Sequence, residues 1–308
     1  MKRIKFIQHN QINKMKWDLC MDKSINKSVY GLSWYLDIVA KKWDALIYGD
    51  YELIFPITFK NIVPFTSFIK QVYQPMFCQQ LGAFSESETM LCDKYIIGDI
   101  LHFLKKNYWY LYYCFNHNIT LNYQEYILKN NLPFNSVVRV NLELNLSVDY
   151  NLLFEKYNKN TKRNINKDFK YQIQEIKKVS IFFNFLKNNL PRIIDLKKRD
   201  YKTIFNIITV ATGKENGKCI GLYDDSNNLL ACGFFLLSYD RHILLFNASI
   251  RDDSKRNFMT YLIDSYIRKN SCKKEYLDFE GSNIVGVKRF YKGFGAVEKN
   301  YLYVQGSI

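Results

Sequence analysis

Within the stretch from Ser136 to Leu144 the chain alternates, Val138, Val140, Leu142 and Leu144 interleaving with Arg139, Asn141, Glu143 and Asn145. That period of two predicts a strand with one buried and one wet face. Helical spacing of apolar residues instead marks Ser33–Ala40 and Thr89–Lys106, the latter through Leu91, Tyr95, Ile96, Ile100, Phe103 and Leu104. Between them, Ala45–Tyr48 and Tyr51–Phe59 read as a hairpin turning at Gly49-Asp50, with Pro56 placing the second strand near an edge or a bulge. Val72–Phe84 reads as an extended segment broken by Pro75 and closed at Gly82, and Tyr108–Phe115 as an aromatic strand.

The second half predicts a helix over Tyr150–Phe169, a strand Tyr171–Ile176, and helices near Ile181–Asn188 and Asp200–Thr212. Lys218–Tyr223, Leu229–Ser238 and His242–Ile250 then form an antiparallel meander with short polar turns. A helix Arg256–Lys269, a strand Tyr276–Glu280, a short amphipathic helix and a last strand Tyr301–Gln305 complete it. The expected class is α/β, with mixed sheets flanked by helices. A chain of 308 residues favours two domains, 1–140 and 141–308, with no Gly/Ser/Pro linker between them.

Composition narrows the class. A 48% hydrophobic fraction with 17% aromatics excludes disorder. No apolar run approaches the ~18 residues that cross a bilayer, and Met1–Trp17 lacks the apolar stretch of a signal peptide, so a cytoplasmic location is expected. The seven cysteines form no CxxC pair and read as reduced thiols; the four histidines show no HExxH, so no metal is expected. The net charge of +15 is lysine-rich, as AT-rich codons favour, and would suit a CoA phosphate, a nucleotide-linked lipid or a tRNA alike.

The segment YLDFEGSNIVGVKRFYKGFGAV, Tyr276 to Val297, carries the candidate chemistry. Asp278 and Glu280 alternate with the apolar Leu277 and Phe279, so both carboxylates project from one strand face. Gly281 ends the strand, Ser282 or Asn283 caps the next helix, and Val287, Phe290, Tyr291 and Phe294 follow at helical spacing until Gly293 and Gly295 stop it. Upstream, YNKNTKRNINK concentrates Lys156, Lys159, Lys162, Arg163 and Lys167. Arg163 is the side chain suited to bidentate anion binding, with Lys162 beside it; a solvated helix face explains the lysines equally.

Asn283, Tyr291, Gly293 and Phe294 give this segment the look of the last strand-helix unit of the GNAT acyltransferase superfamily. The DFEGS wording and the Phe-Tyr-Lys-Gly-Phe-Gly tail resemble its tandem branch, the FemABX aminoacyltransferases and BioF2-like acetyltransferases. Gln79 and Gln80 lie in a stretch similar to one in uncharacterised tandem relatives, and adjacent strand residues would point to opposite faces, leaving one, Gln80, to line a cleft.

The resemblance implies two GNAT-like domains in tandem, the first degenerate. It implies a donor arm lying between two splayed strands, here His242–Ile250 and Tyr276–Glu280, with Tyr291 protonating the departing thiolate. Its donor loop would be Arg251 to Asn257, with Arg251, Ser254, Lys255, Arg256 and Asn257 near the pyrophosphate, yet Ser254 and Arg256 stand where small residues are usual.

Glu280 is the candidate base and Asp278 its rival, while Asn247 and the Ala248 and Ser249 amides would polarise the carbonyl. The implied reaction is N-acyl transfer from acyl-CoA or an acyl carrier protein to a small-molecule or lipid-linked amine. An aminoacyl-tRNA-dependent transferase acting on a cell-wall precursor, or a binding module that kept the fold without catalysis, are the alternatives.

Overall fold

The structure, a computed structural model, describes residues 4–62, 69–165, 169–190, 195–251, 257–281 and 284–307. It divides into two units, residues 1–140 with 300–308, and residues 141–299. The first contains β1 (Ile4–Ile7), α1 (Lys14–Lys23), α2 (Ser33–Val39), β2 (Trp43–Tyr48), β3 (Leu53–Asn61), β4 (Lys70–Val72), β5 (Phe84–Ser85), α3 (Glu88–Cys92), α4 (Lys94–Asn107), β6 (Tyr110–Phe115) and α5 (Thr120–Lys129). The division falls within β7 (Asn135–Asn145).

Then come α6 (Tyr150–Glu155), α7 (Lys159–Ile165), β8 (Gln172–Glu175), α8 (Val179–Asn189), α9 (Lys198–Gly213), β9 (Gly217–Tyr223), β10 (Leu229–Ser238), β11 (Arg241–Ser249), α10 (Phe258–Asn270), β12 (Tyr276–Gly281), α11 (Val285–Lys292) and β13 (Val297–Ser307).

In the first unit the strand order is β1-β2-β3-β4-β6-β13, with β5 also on β3; β4 and β6 run parallel and the other pairs antiparallel. Leu302–Ser307 pair with Phe115–Tyr110, so the chain end belongs to this unit rather than to the C-terminal half where element order alone puts it. Pro56 sits in an interior strand, not at an edge. It lies between the stretch of β3 paired with β5 and the stretch paired with β4, where no ladder partner needs its missing N–H, and its carbonyl accepts from Tyr113 Oη at 2.6 Å.

Two expected helices are each cut by a capping side chain. Asp93 accepts from the Tyr95 and Ile96 amides and so ends α3 and starts α4; Asn158 accepts from the Thr161 amide at 2.8 Å and separates α6 from α7.

The second unit orders its strands β12-β11-β10-β9-β8, with Asn141–Asn145 of β7 on β12. Only β11 and β12 run parallel. Helix α10 packs Leu262, Ile263, Tyr266 and Ile267 inward, and Tyr266 stacks on Phe235 of β10. Phe182 of α8 meets Phe234 on the opposite sheet face. Among the described residues no helix is long and apolar enough to cross a membrane.

Candidate functional site

The second unit parts two adjacent strands at a defined point. β11 and β12 pair at Arg241↔Tyr276, His242↔Leu277 and Ile243↔Asp278, and no further, although β11 continues to Ser249. Two bulges accompany the parting. In β11, Leu244 opposes Phe235 and Phe246 opposes Phe234, so Leu245 is the extra residue. In β12, Asp278 opposes Glu143 and Gly281 opposes Asn141, so Phe279 and Glu280 together face Leu142.

Each bulge re-aims a side chain. Leu244 pairs with Phe235 on the α10 face; unbroken alternation would send Asn247 to the α8 face. The extra residue reverses the phase, and Asn247 instead opposes Gly233, whose missing Cβ would lie 3.2 Å from Leu262 of α10. Asn247 therefore shares a face with Tyr291 and donates from Nδ2 to its hydroxyl at 3.3 Å.

Tyr291 is 7% exposed, and its ring lies on Phe279 at 4.6 Å between centroids. Burial pushes its phenol up to about 12; the Asn247 bond opposes this and the Glu280 carboxylate adds to it. Tyr291 thus stays protonated at neutral pH.

Glu280 sits in the left-handed region at φ 56°, a cost on the order of 1 kcal/mol for a residue with a Cβ. Asp278 takes a different place from the one alternation predicts. Its Oδ2 lies 3.5 Å from Arg241, whose guanidinium bonds Glu143 Oε1 at 2.6 Å, and Asn141 donates to the same Glu143 oxygen at 3.3 Å. Asn141 and Glu143 are each 1% exposed, so the β7 face expected to be wet is buried along this stretch. Asn141 and Glu143 answer each other and Arg241 rather than water, while Val138, on the face expected to be buried, is 43% exposed.

Burial pushes the Asp278 carboxyl up from 3.8 to about 6, helped by Glu143 and opposed by Arg241, the Glu280 amide and Asn141. The folded state therefore holds this proton more tightly than the unfolded chain. The resulting stabilisation is fully present below about pH 3.8 and is lost as pH rises through about 6, a span worth about 3 kcal/mol. Melting the parent and Asp278→Asn across that range isolates the effect: the parent should gain on the variant as pH falls. Parallel curves would refute it.

At the start of α10, Asn257 caps the helix by accepting from the Thr260 amide at 3.3 Å. A cavity of about 510 Å³ opens there, lined by Asn160 and Asn164 of α7, Thr260 and Asn257, and Arg289 of α11. Thr260 is 1% exposed, and its hydroxyl oxygen has no hydrogen-bond partner among the described residues. A helix N-terminus, an arginine and an unsatisfied hydroxyl converge on this space, which suits an anionic oxygen.

Of the expected anion contacts, Arg163 is exposed and donates to Asn160 at 2.9 Å, beside the cavity, while Lys162 is spent on the Glu155 carbonyl at 2.8 Å. Ser249 ends β11 and Arg251 follows it, exposed; Ser254, Lys255 and Arg256, with the proposed caps Ser282 and Asn283, lie outside the described residues.

Gln80 belongs to the first unit. It accepts from the His117 amide at 2.9 Å and donates to Gln79 at 2.7 Å; the segment is not a strand, so the two side chains meet instead of pointing apart. A wider basin of about 620 Å³ over Phe183 and Phe205 is lined, among the described residues, by lysines, an arginine and aromatic rings. Among the described residues no group of three His, Cys, Asp or Glu could hold a metal.

Arg241, Glu143, Thr260 and Arg289 escaped the sequence reading. Arg289 had a local signal in its place two residues before Tyr291; Arg241 and Glu143 depend on strand pairing, and Thr260 on the packing of α10 beside α7 and α11.

The fold, mixed sheets flanked by helices, is similar to that of tandem GNAT-fold structures. No family model matches the chain, and no curated protein sequence matches it. Solved structures do match in fold. A structure of FemX superposes with a TM-score of 0.65 at 12% identity, covering 97% of each chain. A tandem GNAT protein from the clavulanic acid biosynthesis pathway gives 0.56 at 8% identity over 98% of each. L-PGS from Bacillus licheniformis gives 0.55 at 8% identity, over 95% of this chain and 90% of that one. At such identities the likeness establishes the fold alone, and the chemistry is argued below from this chain's own residues.

Proposed function

We propose that the second unit catalyses N-acyl transfer from an acyl thioester, acyl-CoA or an acylated carrier protein, to an amine of a small-molecule or lipid-linked acceptor. The observation that carries this is the opening between β11 and β12 with Tyr291 and Asn247 on one of its faces. A thin donor arm fits such an opening, and the cavity at α10 would receive its anionic end through Thr260, Arg289 and the helix amides. The tandem GNAT structure is described as a form without AcCoA, which supports the same donor here.

In this reading the donor supplies the activated acyl group, and the chain supplies proton management and orientation. Glu280 takes a proton from the acceptor's ammonium, directly or through water, freeing the amine to attack the thioester carbonyl, and Tyr291 gives its proton to the departing sulfur as the C–S bond breaks. Asn247 Nδ2 and the amide of Ser249 hold the carbonyl oxygen; the Ala248 amide is turned to Cys232 of β10. Asp278 is the weaker candidate for base because Arg241 and Glu143 enclose it.

Sequence favours one competitor. Neither 254 nor 256 is glycine, which suits a donor held otherwise than by close backbone approach, as in aminoacyl-tRNA-dependent Fem transferases. A donor screen by thermal shift separates the two. CoA or acetyl-CoA at about 100 times its Kd should stabilise by about 2.7 kcal/mol, which moves the melting temperature by several degrees. No shift with either, together with salt-sensitive retention of charged tRNA, would replace this proposal with the competitor.

A further inference from the structure

The turn that sets Glu280 beside Tyr291 has its own support. Glu280 donates its amide proton to Asp278 Oδ1 at 2.8 Å, a side chain bonding the backbone two residues on. That bond closes the β12 bulge at the residue held at φ 56°. The other Asp278 oxygen faces Arg241, which Glu143 holds from β7. Ile243↔Asp278 is also the last rung between β11 and β12. One carboxylate therefore touches the last rung, the left-handed residue and the arginine.

We infer that Asp278 is a positioning residue: braced by Arg241 and Glu143, its carboxylate holds Glu280 in the left-handed conformation that ends the β11–β12 pairing and presents Phe279 and Glu280 to Tyr291. Two physical facts favour this over a purely structural buried ion pair. Two buried carboxylates share one arginine, and Glu143 Oε2 is buried without a hydrogen-bond partner among the described residues, so the cluster is not arranged for best charge balance. Glutamate in place of the glycine such a backbone prefers is a strain that persists where surroundings over-determine it. The catalytic half of the inference rests on the roles proposed for Glu280 and Tyr291; the conformational half does not.

The charge count makes a clean variant available. Asp278→Leu leaves Arg241 and Glu143 as a matched pair, so the protein should fold with a melting temperature at or above the parent's at neutral pH. It nevertheless removes the acceptor for the Glu280 amide. Asp278→Asn keeps that acceptor in its side-chain carbonyl.

The test is amide hydrogen exchange at Glu280, read by nuclear magnetic resonance on protein labelled at glutamate nitrogen, in parent and both variants. Exchange at Glu280 should rise at least about tenfold in Asp278→Leu and return to within a few-fold of the parent in Asp278→Asn, with Leu277 protected throughout. With an acyl donor that the parent turns over, kcat should fall about 10- to 100-fold in Asp278→Leu with KM little changed, and recover in large part in Asp278→Asn. A folded Asp278→Leu protein whose Glu280 amide exchanges as slowly as the parent's would overturn the inference. So would an Asp278→Asn protein that exchanges as fast as the leucine variant. If the parent turns over no donor, the transferase reading fails while the exchange data still decide the positioning role.

Discussion

Arg241→Met should lower the stability of the second unit by about 3–5 kcal/mol at neutral pH, the largest loss expected from any single change at the site. The side chain is 19% exposed and stands between Glu143, 2% exposed, and Asp278, 9% exposed. Methionine fills much of the same volume but leaves two adjacent carboxylates in the interior with no counter-charge, and each then resists ionisation.

The loss should therefore shrink on acidification, since protons can do for the carboxylates what the guanidinium did. Urea unfolding near pH 7.5 and near pH 5 gives the two values. Asp278→Leu on the same background should restore part of the loss by removing one of the opposed charges. A variant with parent-like urea midpoints at both pH values would show that the cluster is solvated enough to be indifferent to charge balance.

Tyr291→Phe should lower kcat by about 10²–10⁴ while KM for the donor changes little, because the hydroxyl is asked to act only when the leaving group departs. The fold should tolerate the change. The ring keeps its stacking on Phe279, and the lost bond to Asn247 is a long one at 3.3 Å. Since the phenol is pushed up to about 12, it stays protonated between pH 6 and 10, and a fall in kcat within that range belongs to another group. Steady-state rates for parent and variant over that range check both statements. Equal kcat in the two proteins would remove Tyr291 from the mechanism.

The parts of the site legible in the sequence were those written locally. Tyr291 could be singled out because Gly293 and Gly295 close a short helix around it, and the segment from Tyr276 to Val297 preserves strand, turn, helix and stop in order. Asn247 could be proposed from its position late in a strand. Its face could not, since that depends on the one-residue insertion at Leu245, visible only when β10 and β11 are in register. Glu280 and Asp278 looked equivalent under a period of two; the second bulge made one a left-handed residue near Tyr291 and the other the partner of Arg241.

Glu143 shows the same limit from the other side. Its strand alternated as a half-wet strand does, and nothing within β7 announced that an arginine 98 positions later would bury against it. The helix breaks at Asp93 and Asn158 were closer to legible, since each is a capping residue inside an apolar period, but the period overrode them.

Period and punctuation along the chain were thus enough for the α/β class, the β9–β10–β11 meander and the strand-helix unit that bears Tyr291, because hydrogen bonding within a helix, a tight turn or a hairpin joins residues close in number. Where β11 and β12 part, which carboxylate Arg241 takes, and what the polar face of β7 meets were settled only by folding. Those outcomes depend on register between strands far apart in the chain, where one extra residue reverses every side chain beyond it.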